Sequence, residues 1–348
     1  MGREDRLDLI TQIEGHRNSK VLCFLTGDRR DFGTRIHPEV HTMIYDHLQH
    51  FGEVDKIDLF LYSTGGVTMA AWSIVNLIRE FCNEFTVIVP FKAFSTATLI
   101  CLGANKIIMG KLGQLGPVDP SVTTPFNPKV PGGPGGQAGP PIPVSVEEVA
   151  SFIEFSKDKN FCELKSEDTL KDVLRQLTEH VHPLTIGSVY RAIEQIKMLS
   201  TKLLKFHMTQ NEDEPEIKRI VADLTKNLFS HDYIINRKEA KNEIKLKVEN
   251  AGTVAPGFDK LIFDLFSDYE QEMCLTKYFN IDVLLGTNNH GRETFYRAFI
   301  ESDSRTDVYI TEKEFRRTQH PIQGTTLTQD AIHERTIRDG WEKIYPEE

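Results

Sequence analysis

The 348-residue sequence predicts an α/β fold built on a mostly parallel sheet. Two observations carry this. From about residue 18 to 120, short apolar runs alternate with glycine-bearing turns and amphipathic stretches, the pattern of βαβ units with right-handed crossovers. The apolar runs are hydrophobic at nearly every position, so their strands are expected to be covered on both faces.

The elements follow in order. KVLCFLTG (20–27) predicts a first strand, and HPEVHTMIYDHLQHF (37–51) a helix with Val40, Ile44 and Leu48 at helical spacing. IDLFLY (57–62) is a second strand. After Ser63-Thr64-Gly65-Gly66 comes a helix with Ala71, Val75 and Ile78 on one face. FTVIVP (85–90) is a third strand, followed by an apolar helix from Ser95 to about Gly103, and KIIM (106–109) is a fourth. Residues 117–143 hold nine of the sixteen prolines and five glycines. That excludes helix and central strand and predicts an extended or disordered loop bordering a site. SVEEVASFIEF (145–155) predicts a capped helix, with Ser145 as N-cap and Glu148 three residues on. Residues 164–182 read as helical. GSVYRAIEQIKMLSTKLLKF (187–206) is the strongest helix, its stripe of Val189, Ile193, Ile196, Leu199 and Leu203 suiting either the core or a subunit contact. KEAKNEIKLKV (238–248) closes the α/β unit. Residues 251–348 are less regular, with DKLIFDLFSDYEQ a helix, TDVYITE a strand, and Asn288-Asn289-His290-Gly291 a loop.

Composition narrows the function classes. With 41 basic against 51 acidic residues, the net charge of −10 gives no support to nonspecific binding of nucleic acid or anionic membranes. No apolar run approaches the ~20 residues that span a bilayer. MGREDRLDLITQ has charge where a signal peptide needs an apolar segment, and Arg6 stands where a myristoylation pattern needs Ser or Thr. The five cysteines (Cys23, Cys82, Cys101, Cys162, Cys274) are widely spaced, with no CxxC. Neither a zinc site nor a disulfide framework is expected, and Cys23, Cys82 and Cys101 read as small buried hydrophobes. A reducing, cytoplasmic setting without cofactor or metal is the expectation.

Two turns could carry chemistry. There is no GxxxxGK[ST] and no GxGxxG opening a helix. Ser63-Thr64-Gly65-Gly66 lies between strand and helix, where glycines let backbone N–H groups face a cavity and meet an anion or a developing oxyanion. It is equally suited to be a tight βα turn. In Lys92-Ala93-Phe94-Ser95-Thr96-Ala97-Thr98, Ser95 follows a strand and opens a helix. It is placed either as an activated nucleophile with the Thr96 N–H beside it, or as an ordinary N-cap. Both turns fall at carboxyl ends of parallel strands, the edge where open α/β sheets bind ligands.

LYSTGGVTMAAWSIVNLIRE, VIVPFKAFSTATLICLGANKIIMG and LGQLGPVDP together resemble the Clp protease and signal peptide peptidase superfamily, and most nearly the serine dehydrogenase proteinase family. The resemblance covers about residues 18–250. It implies a ClpP/crotonase-like spiral of ββα units over residues 1–250, with 251–348 as a C-terminal α+β extension. It implies a serine peptidase with Ser95 as nucleophile and the N–H groups of Gly65 or Gly66 and of Thr96 as oxyanion donors. Clp protease carries its histidine about two dozen residues after the serine. Here that stretch is Gly116-Pro117-Val118-Asp119-Pro120, without histidine. The base candidates are His231, beside Asp232 in Phe229-Ser230-His231-Asp232-Tyr233, and Lys92, by analogy with serine–lysine dyads. Lys92 would need burial to act as a base. If the segment is extended, side-chain alternation lets only one of His231 and Asp232 face the site. Asp119 suits the shaping of the turn as well as it suits chemistry, and His182 reads as a helix-start residue. A homo-oligomer, a peptide or protein substrate and a partner protein for activation or delivery are the implied associations. The alternatives are a catalytically degenerate scaffold or regulatory subunit, and a crotonase-type acyl-CoA enzyme, for which the sequence carries no signature.

Overall fold

The computed structural model describes residues 2–118, 121–130, 139–160, 167–228, 230–321 and 328–344. Asp119, Cys162 and the side chain of Ser145 lie outside the described residues.

An N-terminal helix α1 (Arg3–Arg17) leads into β1 (Lys20–Thr26), α2 (His41–Phe51), β2 (Val54–Tyr62), α3 (Thr68–Arg79), β3 (Cys82–Val89), a two-residue β4 (Lys92–Ala93), α4 (Thr96–Leu102), β5 (Lys106–Met109) and β6 (Gln114–Leu115). Then come β7 (Ser121–Val122), β8 (Val144–Ser145), α5 (Val146–Lys157), α6 (Glu167–His180), α7 (Pro183–Leu204), α8 (Glu214–Ala222), β9 (Ile235–Asn236), α9 (Arg237–Asn242) and β10 (Val248–Asn250). The last stretch holds α10 (Ala251–Val254), α11 (Phe258–Glu272), α12 (Ile281–Leu285), β11 (His290–Glu301), β12 (Thr306–Pro321) and β13 (Thr328–Ile344).

Among the described residues the main sheet has eight strands in the order β10-β5-β3-β2-β1-β11-β12-β13. It is parallel from β10 to β1 and antiparallel from β1 onward. The expected α/β class with a mostly parallel core is therefore what the chain forms. Alternation along each strand divides two cores. Leu22 and Phe24, Ile57, Leu59 and Leu61, and Phe85, Val87 and Val89 face one side, with α2, α3, α4, α7 and α8. Val21, Cys23 and Leu25, Phe60 and Tyr62, and Ile88 and Ile108 face the other, with α1 and α11. This two-sided cover is why the strands read as unbroken apolar runs.

No apolar period marks α1, because the face it buries is only partly apolar. Beside Ile10 and Ile13 it carries Arg6, whose Nε donates to Glu301 at 2.7 Å and whose Nη1 donates to Asp268 at 2.8 Å. The Tyr269 hydroxyl also donates to Glu301, at 2.6 Å. These groups are all buried, so α1, α11 and β11 are held by a charge cluster whose members satisfy one another.

The described part of the proline-rich loop holds no helix, as expected, and is pinned. β7 pairs with β8, Lys129 bridges Pro141, and buried Asn127 donates from Nδ2 to the carbonyls of Val122 and Ile142 at 2.7 and 2.8 Å. In α7 the expected stripe faces inward, Ile196 and Leu203 to the main core and Val189 to α5. His290 opens β11 instead of lying in a loop, and its Nε2 sits 2.7 Å from Glu314.

His207, just after α7, places Nε2 3.0 Å from the Leu102 carbonyl, and its Nδ1 is buried without a partner. Burial pushes its pKa down to about 4, against the opposing hydrogen bond to Leu102. An unfolded-state histidine titrates near 6.5. Above that pH both states are neutral and the full stability is present. As pH falls through 6.5 toward 4, only the unfolded chain takes up the proton, and stability drops by up to roughly 3 kcal/mol. His207→Gln keeps the donor and removes the titration. In urea unfolding from pH 7 to 4, the wild type should lose stability relative to the variant, by up to roughly 3 kcal/mol on the acid side. Parallel curves would refute the assignment.

Candidate active site

A second layer of pairings follows the carboxyl ends of the parallel strands. Ile36 bridges Gly66, Ser63 bridges Ala93, β4 pairs with β6, and β6 pairs with β9. The chain leaves each main strand, makes one short pairing here, and only then enters its helix. The units run β1–Ile36–α2, β2–Gly66–α3 and β3–β4–α4. Repeated, this gives a spiral of ββα units.

The Ser63–Gly66 turn is fixed from both sides. Buried Ser63 Oγ accepts the Thr26 hydroxyl at 2.7 Å and the Gly65 N–H at 3.0 Å. Ile36 N–H donates to Gly65 O at 2.9 Å, and Val67 N–H donates to Ile36 O at 2.8 Å. That parallel bridge leaves the Gly66 peptide groups on the opposite side, where Gly66 O accepts the Thr96 hydroxyl at 2.8 Å. A Cβ on Gly66 would stand 2.1 Å from Ile36 O, and one on Gly65 would stand 2.9 Å from Ser95 Cβ. Gly65 also has φ +109. Glycine is required at both positions, by close approach and, at Gly65, by backbone angle.

Ser95 has φ +52 and ψ −113, a conformation that costs a non-glycine residue of order 1–3 kcal/mol. The turn is over-determined by its neighbours. Ser63 N–H donates to Lys92 O at 2.9 Å, Phe94 N–H to Ser63 O at 3.0 Å, and Ala97 N–H to Phe94 O at 2.9 Å. The buried Thr98 hydroxyl lies 2.8 and 2.9 Å from the Ala93 and Gly116 carbonyls. Among the described residues the Gly66 and Thr96 N–H groups make no hydrogen bond within the chain. They flank Ser95, whereas the Gly65 N–H is taken by Ser63.

A cleft of about 480 Å3 is lined by Thr64, Gly66, Thr68, Phe94 and Ser95 on one side and by Gly116, Pro117 and residues 231–234 on the other, with Arg35 at its edge. His231 and Asp232 both reach it. They lie in a turn before β9, not in extended chain, so the alternation that would separate them does not operate. Lys92 is elsewhere. Its Nζ donates to Asp28 at 2.8 Å, Tyr62 donates to the other Asp28 oxygen at 2.7 Å, and Lys92 lines a separate cleft of about 420 Å3. His182 caps α7, its Nδ1 accepting the Leu184 N–H at 3.2 Å. Arg35 lies in no motif of the sequence, whereas Thr64 and Thr68 lie inside the glycine-turn string without a role assigned to either. Among the described residues no cluster of His, Cys, Asp and Glu could hold a metal.

A second serine–histidine–aspartate set exists. His47 Nδ1 is 2.7 Å from Ser302 Oγ, and His47 Nε2 is 3.1 Å from Asp307 Oδ2. All three are buried, at 0, 0 and 2% exposure. No substrate reaches them, so the trio is a clamp between α2 and the β11–β12 turn. Burial would raise the Asp307 pKa, but bonds from His47 and Arg305 hold it below the usual carboxylate range.

The spiral of ββα units, with a strained serine elbow beside paired free amides, defines a ClpP-like fold. Residues 3–130, which hold both glycine turn and elbow, match the family described as ClpP-like SDH-type serine proteinase, so the resemblance read from the sequence holds over that span. Two proteins of Methanocaldococcus jannaschii are similar to this chain. Uncharacterized protein MJ0137 is 31% identical over 110 residues, and Uncharacterized protein MJ1495 is 28% identical over 116 residues. Each match covers 30% of this chain and 38% of the relative's length. Among solved structures, the membrane-bound stomatin-specific protease 1510-N overlays as a serine-to-alanine mutant, with 14% identity and a TM-score of 0.32, over 66% of this chain and 80% of that one. A lysine-to-alanine mutant of it, in complex with a substrate peptide, gives the same identity and score over 66% of this chain and 75% of that one.

The strain at Ser95 is measurable. Ser95→Gly should raise the unfolding free energy by about 1 kcal/mol relative to Ser95→Ala, because glycine tolerates the angle and alanine does not. Gly66→Ala should lower it by about 3 kcal/mol or more, since Ile36 backbone would have to move. Equal stability of the two Ser95 variants in urea would refute the strained geometry.

Proposed function

We propose that the protein is a serine peptidase working through Ser95. The single observation that carries this reading is the elbow itself, a strained serine held beside two unpaired backbone amides at an open cleft. Ser95 Oγ adds to the substrate carbonyl carbon as its proton passes to His231. The N–H groups of Gly66 and Thr96 hold the oxyanion. The C–N bond then breaks, with the proton delivered to the leaving amine, and water hydrolyses the acyl-enzyme in the reverse sense. Asp232 orients His231. Lys92 stays with Asp28, and Tyr233 and Ile234 give substrate side chains an apolar wall.

The chemistry lies within residues 1–250, and 251–348 extend and cover the sheet. Exposed Leu184, Tyr190 and Met198 on α7, with Phe152 and Phe155 on α5, support an assembly of several copies. Among the described residues no helix is long and apolar enough to cross a membrane, and a cytoplasmic setting fits this reading.

A fluorophosphonate probe should label the wild-type chain and not Ser95→Ala. His231→Ala should lower the labelling rate by about a hundredfold or more, and Lys92→Ala by far less. No labelling of folded wild type would leave the degenerate scaffold or regulatory subunit as the better account. Labelling that survives His231→Ala and is lost in Lys92→Ala would exchange the two roles.

A further inference from the structure

We infer that Arg35 is a specificity-determining residue that receives a carboxylate of the substrate beside the scissile bond. The inference rests on the serine peptidase reading for its site, but its observations are separate.

Arg35 lines the Ser95 cleft, and its side chain is exposed. Among the described residues it has no ion-pair or hydrogen-bond partner. That sets it apart from Lys92, given to Asp28, from Arg297, whose Nη2 donates to Gly33 O, and from Arg305, bound to Asp307. Its backbone is fixed, because the next residue is Ile36, bonded on both sides to the Gly65–Val67 strand.

The second layer gives direction to the cleft. Its ladder runs from Ile36 through Gly66 and β4 to β6 and β9. Arg35 stands at one end, His231 and Asp232 at the other, and Ser95 follows β4 in between. A peptide lying across Ser95 therefore meets a free guanidinium on the oxyanion side and a carboxylate on the histidine side. Guanidinium binds carboxylate through paired, charge-assisted hydrogen bonds. A carboxylate toward Arg35 is favoured, and one toward Asp232 is opposed. The group is either an Asp or Glu side chain or a free chain terminus, which present the same chemistry.

The test separates these sources. Ser95→Ala full-length protein is titrated with fluorescein-labelled peptides that are alike except for one central Glu or Gln, each with a free or an amidated C-terminus, followed by anisotropy. The acidic member of one pair should bind about ten- to a hundredfold more tightly, the range of a charge-assisted pair. A Glu preference assigns a side chain, and a free-acid preference assigns the terminus. Adding Arg35→Ala should erase the difference, and Arg35→Lys should keep part of it. Because Arg35 is exposed and unpartnered, neither substitution disturbs packing. Equal binding of acidic and neutral peptides, or a preference that survives Arg35→Ala, overturns the inference. Failure of the peptidase reading shows separately, as absent fluorophosphonate labelling of wild type.

Discussion

The passage of Gly65 and Gly66 between Ile36 and Ser95 is the constraint on which the rest of the site depends. A Cβ on Gly66 would fall 2.1 Å from Ile36 O, and one on Gly65 would fall 2.9 Å from Ser95 Cβ. Three successive ββα units are thus in backbone contact at one place, with no side chain between them. The consequence is chemical as well as structural. Because the bridge to Ile36 uses the groups of Gly65 and Val67, the Gly66 N–H is left facing the elbow. The same contact that closes the spiral supplies an unpaired donor beside the serine, at no further cost in reorganisation.

The core was legible because its strands are covered on both faces and its helices on one. Each gives a strong period, and β1, β2, β3 and β5 were read directly from the sequence. What stayed hidden has physical reasons. The inward face of α1 includes Arg6, a residue that belongs inside only because Glu301 and Asp268 meet it from more than 260 positions away. β11 carries a register shift between Tyr296 and Ala298, which breaks the alternation that marks a strand. β13 lies at the sheet edge with mostly exposed, charged residues, so it has no buried face to betray it. In the site, Ser95 and the two glycines were legible from their turn. Arg35 was not, because its place at the cleft comes from the pairing of Ile36 with Gly66, which no local pattern encodes.

The three C-terminal strands also settle a problem of the parallel core. β1 would otherwise be an open edge with unpaired backbone groups. β11 pairs along it from Cys23 to Thr26, and the edge is passed outward to β13. There β13 carries Glu334, Arg335, Arg338, Glu342 and Lys343, charges that discourage pairing with another strand. The extension is thus continuous with the sheet that carries the site.

Burial separates the two groupings of serine, histidine and aspartate. Ser302, His47 and Asp307 have the closer geometry, with contacts of 2.7 and 3.1 Å, but no solvent path. Ser95, His231 and Asp232 share an open cleft. A triad is recognised by role, and the nucleophile's role requires access to a carbonyl. The buried set satisfies its own hydrogen bonds and gains nothing by exposure. The elbow serine sits in a backbone conformation that Ser95 would not adopt unaided, beside amides that have no partner until something enters. Strain and unsatisfied donors together suit the nucleophile role proposed for Ser95, and a structural clamp avoids both.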